Sequence, residues 1–235
     1  MRRLHLLKYF WIIAPLFVTA VLWLLSKTRF EDGWAIAVPQ ALSQIFALWA
    51  VVLSAIVLLI SARSQLIEQI YGGLDKAYRT HGLLSKIAFA LIVAHVLLLI
   101  PHYTATGQDA RSLFIPGDFW PKNVGMGAFY LFILLVGITL FRFMPYQAWL
   151  HTHQWMGLPF LMGGLHALGA DSDIRAYEPL REWMVMAIVY GGLAWLYKVF
   201  LYRRVAQKYT GIESRRYAAS AATSSNSCCG PGAAA

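Results

Sequence analysis

Four histidines stand in two pairs of nearly equal spacing. His81 and His95 bracket "HGLLSKIAFALIVAH", 14 residues apart, and His153 and His166 bracket "HQWMGLPFLMGGLH", 13 apart. Lys86 is the one formal charge between the first pair, and no charged residue lies between the second. On a helix either spacing carries the chain about 20 Å along the axis. Ionisable side chains in such apolar runs are costly to desolvate and are functional candidates by default. A neutral imidazole nitrogen is an axial ligand for haem iron. If the two helices run in one direction, His81 lies level with His153 and His95 level with His166. One imidazole from each helix at each level would hold two stacked b-type haems. Two imidazoles leave an iron no open position, so its chemistry is electron transfer. The competing structural reading, that each histidine caps a helix or bonds a backbone carbonyl, accounts for single histidines but not for two pairs at matched depth.

The second helix leaves a choice open. At about 100° per residue, His81 and His95 lie about 40° apart around the axis, on one face. His153 and His166 fall about 140° apart, whereas His151, 15 residues before His166, falls about 60° from it. Pro159 can kink a helix, and Gly163 and Gly164 leave room for a flat macrocycle. Helix geometry therefore permits His151 or His153.

The elements that must position these residues are membrane helices. The chain has 235 residues, is 59% hydrophobic and 13% charged, and has a mean hydropathy of +0.55. That composition belongs to a polytopic membrane protein. Six apolar runs are long enough to cross a bilayer: 9–26, 37–61, 81–101, 123–143, 149–169 and 182–202. The expected fold is an all-α six-helix membrane bundle. The net charge of +9 sits at the ends of these runs, which reads as orientation and lipid headgroup contact and excludes a nucleic-acid-binding role. Arg2, Arg3, Lys8, Arg63, Lys76, Arg79, Arg142, Arg203, Arg204 and Lys208 fall on one side, against Lys27, Arg29, Arg111, Lys122, Arg175 and Arg181 on the other. The richer side is expected in the cytoplasm, with both termini, in a plasma membrane or a bacterial inner membrane. Residues 1–8 form the cytoplasmic N-terminus, 9–205 the six-span domain, and 206–235 a cytoplasmic tail. The small, polar end "AASAATSSNSCCGPGAAA" is expected to be disordered. Its adjacent Cys228 and Cys229 offer no metal-site spacing. The first apolar run has no convincing cleavage site and reads as a span rather than a signal peptide.

With its two His pairs, helix order and topology, the chain resembles the ferric reductase-like transmembrane domain shared by NADPH oxidases and ferric-chelate reductases. The resemblance covers roughly residues 40–205. It implies His81 and His153 as ligands of an inner haem, and His95 and His166 as ligands of an outer haem. It selects His153 over His151, which becomes a neighbour or propionate contact. It also implies an FAD- and NADPH-binding region after the sixth helix as electron donor. "RRVAQKYTGIESRRYAAS" resembles the start of that region. No G-x-G-x-x-G follows a strand pattern, so the expectation is a truncated, frameshifted or engineered chain whose FAD and NADPH lie on a full-length chain or a partner. Oxygen-reducing members of the family carry a further histidine four residues after the outer ligand. Here that position is Leu99, and His102 lies one turn beyond it. They also carry an arginine near the start of the second span, where the nearest here is Arg29. The external acceptor thus stays open between oxygen and a ferric chelate.

A second reading is the haem-binding membrane subunit that supplies electrons to a periplasmic methionine sulfoxide reductase. A third, non-redox reading is a transporter or assembly factor with structural histidines. No broken inverted repeats and no intramembrane acidic pair support it. Phe89 and Phe160 lie midway between the two levels. Arg79, Lys86 and Arg142 near the inner level, and Lys122 and Arg175 near the outer one, are candidate propionate partners or interfacial anchors.

Overall fold

A computed structural model describes residues 2–27, 34–141, 144–170 and 172–201, without the side chains of 2–8, 34–36 and 172. The tail 206–235 with its cysteine pair, and Arg29, Arg142, Arg203, Arg204 and Lys208, lie outside the described residues. The chain divides into a unit of residues 1–195 and a second of 196–235. Of the second, residues 196–201 are described, and Tyr197–Leu201 is a π-helical turn.

The described residues contain helices and no strands. The helices are α1 (Arg2–Ser26), α2 (Trp34–Ser61), α3 (Gln65–Tyr71), α4 (Leu74–Ala105), α5 (Trp120–Phe141), α6 (Tyr146–His153), α7 (Gly157–Ala170), α8 (Ser172–Ala176) and α9 (Glu178–Leu196). Five helical stretches are long and apolar enough to cross a membrane: Tyr9–Ser26, Ala37–Ser61, Leu74–Ala105, Trp120–Phe141 and Glu178–Leu201. The chain is a multi-pass membrane protein. The expected run 149–169 differs. It is divided into α6, a 3₁₀ turn Gln154–Met156, and a 14-residue α7, which is shorter than the roughly 20 residues a single crossing needs. The expected third run also differs. Helix α4 begins at Leu74, so His81 sits two turns inside it rather than at its start.

Helix α2 is the most enclosed element. Ala50, Val52, Leu53, Ala55, Val57, Leu58 and Ile60 are all buried, a near-continuous set that wraps the helix rather than striping it. It joins two clusters. One gathers Ile45, Leu48 and Val52 with Trp23, Ile174, Leu180 and Met184. The other gathers Leu53, Val57 and Ile60 with Tyr71, Ala77, Leu84 and Ala88. In lipid, apolar burial does not drive helices together; close packing at small residues and interhelical hydrogen bonds do. Both occur here. A Cβ on Gly164 would meet Ile188 Cγ1 at 2.9 Å, and one on Gly191 would meet Phe160 Cζ at 2.7 Å and Ala55 Cα at 3.0 Å. The Trp49 indole donates to Leu16 O at 3.0 Å, and that of Trp183 donates to Thr19 Oγ1 at 2.9 Å. These two bonds tie α1 to α2 and α9. Lys27, just past α1, bonds Gln44 Oε1 at 2.6 Å and pairs with Asp173 of α8.

The short α3 turns the chain between α2 and α4. Ser64 Oγ caps its start by accepting from Ile67 N. Gly72 ends it at φ 70°, the left-handed conformation that favours glycine. Arg63 also adopts positive φ, 55°, and its guanidinium bonds Tyr78 OH and lies over the Tyr78 ring.

The Gly191 contact gives a direct test. Gly191→Val forces a side chain onto the backbone of Ala55. The expected cost is about 1–3 kcal/mol, read as a lower unfolding temperature in detergent, with Gly137→Ala, where a Cβ meets nothing within 4 Å, left near wild type.

Candidate functional site

The four spaced histidines come together as two pairs. The rings of His81 and His153 have centroids 6.4 Å apart with planes at 68°. Those of His95 and His166 are also 6.4 Å apart, at 60°. Each pair takes one ring from α4 and one from the α6–α7 segment, so these two segments run the same way. Fourteen residues of α4 separate the levels by about 21 Å.

Each ring is held from behind by a different helix. On α2, Val57 O lies 3.2 Å from His81 Nδ1, and Ser43 O and Oγ lie 3.0 and 2.8 Å from His95 Nδ1. On α5, Pro121 O lies 2.8 Å from His166 Nδ1, and Thr139 Oγ1 lies 3.4 Å from His153 Nδ1. A carbonyl oxygen only accepts, so Nδ1 carries the proton in His81, His95 and His166. Thr139 Oγ1 donates its own proton to Leu135 O at 2.9 Å, so toward His153 it too accepts. The hydrogen-bond network thus assigns all four rings the Nδ1–H tautomer, with the lone pair on Nε2.

Packing completes the orientation. His166 lies in a notch over Gly125, where a Cβ would meet its Nδ1 at 2.5 Å. Trp149 stacks on His153, centroids 5.0 Å apart at 20°. Tyr78 meets His81 edge-on at 6.4 Å. Gly125, Ser43 and Thr139 did not stand out in the sequence. A glycine or hydroxyl inside an apolar run gains meaning only once the facing helix is known.

The 3₁₀ turn settles how one segment serves two levels. A 3₁₀ residue turns about 120° rather than 100°, so Gln154–Met156 adds about 60°. His153 and His166 then lie about 80° apart, and His151 moves to about 120° from His166. The tighter turn reverses the preference of a straight helix. His151 is exposed and contacts Gln154 Nε2 at 3.4 Å; it joins neither pair. Pro159 lies in the first turn of α7 and has no N–H to give Trp155 O, four residues before it and inside the 3₁₀ turn, so the departure from α-helical geometry falls where a proline places it. The turn is also braced by Trp195, whose indole donates to Gln154 O at 2.7 Å and fills the space beside Gly157.

Other expected residues are placed as follows. His102 lies in the last turn of α4 beside Tyr103, with a buried Nδ1 that has no hydrogen-bond partner. Phe160 is buried against Gly191, and Phe89 packs on Phe132 with centroids 5.8 Å apart. Arg79 pairs with Asp75 at 3.1 Å, Lys122 bonds Ser112 O at 3.0 Å, and Arg175 bonds Gly169 O at 2.7 Å. Among the described residues, no group of three or more His, Cys, Asp or Glu could hold a metal ion.

The fold and the site together describe a helical membrane protein with imidazoles paired at two levels. The family model described as "Ferric reductase like transmembrane component" matches residues 46–164, just over half of the chain, and the chain belongs to this family. The matched stretch contains His81, His95 and His153 and ends two residues before His166. Membership gives the protein a general role in membrane electron transfer. No curated protein matches the sequence.

Trp195→Phe keeps most of the ring but leaves Gln154 O without its donor, a loss of about 1 kcal/mol. The expected result is faster amide hydrogen exchange across residues 154–160 than in wild type, with α2 unchanged. Equal exchange there would show that the indole bond does not brace the turn.

Proposed function

We propose that the chain is a di-haem b cytochrome domain that carries electrons across the membrane, with His81 and His153 as ligands of the inner haem and His95 and His166 as ligands of the outer one. The observation that carries this reading is the 6.4 Å centroid separation of both pairs. Metal–imidazole bonds are about 2.0–2.1 Å long, so two rings on opposite sides of one metal have centroids about 6.4 Å apart. The donor set agrees. Each pair offers two Nε2 lone pairs, and no third protein donor completes the coordination among the described residues, which suits a macrocycle that brings four nitrogens of its own. Gly163, one turn before His166, would place a Cβ with no atom within 4 Å, which leaves helix surface for a flat ring to lie against.

When bound, each haem supplies a one-electron relay. The chain supplies the rest. The acceptors on α2 and α5 fix the tautomer and aim of every ligand. The apolar helices exclude water and charge from the levels. With His81 and His153 holding one haem and His95 and His166 the other, the haems would pass electrons on without binding the external acceptor, and oxygen and ferric chelates both fit. The electrons are supplied from a cytoplasmic reduced flavin, held by a flavin-binding region or partner. The Lys/Arg bias orients the His81/His153 level toward the cytoplasm, and α6, the 3₁₀ turn and α7 together make the sixth crossing.

The test is haem quantitation with a reduced-minus-oxidised spectrum of the purified protein. Two b-type haems per chain are expected. His166→Leu is expected to retain one, and His153→Leu to lose the inner haem while His151→Leu keeps both. One haem in the wild type would favour the sulfoxide reductase subunit, and none would end the cytochrome reading. A greater loss from His151→Leu than from His153→Leu would overturn the ligand choice.

A further inference from the structure

We propose that Ser43 is a positioning residue that sets the reduction potential of the outer haem, an inference that rests on the di-haem reading. Ser43 is fully buried on α2 and places two oxygens on one proton. Its Oγ donates to His95 O at 3.1 Å, so toward His95 Nδ1, at 2.8 Å, that oxygen accepts. Its carbonyl accepts from the same Nδ1 at 3.0 Å. Neither inner ring is held as closely. His81 has Val57 O at 3.2 Å, and His153 has Thr139 Oγ1 at 3.4 Å.

A stronger acceptor on Nδ1–H makes the imidazole a stronger donor through Nε2. A more basic ligand favours ferric over ferrous iron, so the Ser43 hydroxyl holds the outer potential down. The hydroxyl also ties His95 to α2 at a second point, its backbone carbonyl. Ser43 touches neither iron nor substrate. It acts through His95.

The experiment is a mediated redox titration of the intact protein, with the two potentials assigned by comparison with His166→Leu, which retains only the inner haem. Ser43→Ala keeps the backbone carbonyl and removes the hydroxyl. The ferric/ferrous equilibrium at the outer level is expected to move toward ferrous by up to roughly tenfold, about 59 mV for a one-electron couple. The inner potential is expected to stay in place, and Ser43→Thr, which restores a hydroxyl, to return the outer one. If the alanine variant loses the outer haem, Ser43→Cys is titrated in its place, because it keeps the shape but offers only a weak acceptor. An outer potential unchanged in the variant titrated overturns the proposal while the two haems remain. A wild-type protein with no haem overturns the reading beneath it.

Discussion

A hydrogen bond from each imidazole Nδ1 to an oxygen on the neighbouring helix governs the rest of the arrangement. In a low-dielectric interior an unpaired polar group is costly, so each histidine must find an acceptor before it can present a lone pair elsewhere. Helix α2 meets this demand as an antiparallel rail. Ser43 serves His95 and Val57 serves His81, and the 14 residues between the two acceptors equal the 14 between the two histidines. One register fixes both rings of α4. The enclosure of α2 follows from this role. A helix that supplies acceptors along its length must lie against the histidine helix along its length.

The other half of the site solves the same problem differently. On α5 the acceptors Pro121 and Thr139 are 18 residues apart, while His153 and His166 are only 13 apart. The two spacings differ by five residues, so no residue-for-residue register like that of α2 serves both rings. The 3₁₀ turn at Gln154–Met156 rotates His153 toward the second face, and Gly125 lets His166 reach the carbonyl of Pro121 over the α5 backbone. Trp149 stacks on His153, where the oxygen partner is a hydroxyl at 3.4 Å instead of a nearer carbonyl.

Much of this plan was legible in the sequence, because the hydrophobic runs and the histidine spacing are one-dimensional signals. Helix rise and direction set His95 level with His166 and His81 level with His151 or His153, and only the resemblance to the family chose His153. The supports were not legible. Nothing local marks Ser43 or Gly125, since their roles belong to rings 52 and 41 residues away. The form of the turn was hidden because its own residues, "QWM", break no propensity rule; the signal for it is Pro159, whose missing N–H leaves Trp155 O, inside the turn, without an α-helical donor. The adjacent Gly163 and Gly164 read as one feature. They are two: Gly164 admits Ile188 of α9, whereas Gly163 faces open space. Successive residues on a helix point about 100° apart, so neighbours in sequence seldom share a neighbour in space.

The central claim is that two imidazoles meet across one iron at each of two levels. Low-temperature electron paramagnetic resonance of the oxidised protein tests it most directly, because the signal reports the axial ligands themselves. Two low-spin ferric signals of bis-imidazole type are expected, from sites that differ in ring orientation and hydrogen bonding. A high-spin ferric signal as the main species would contradict it, because it would mean an iron with an open or weakly held axial position.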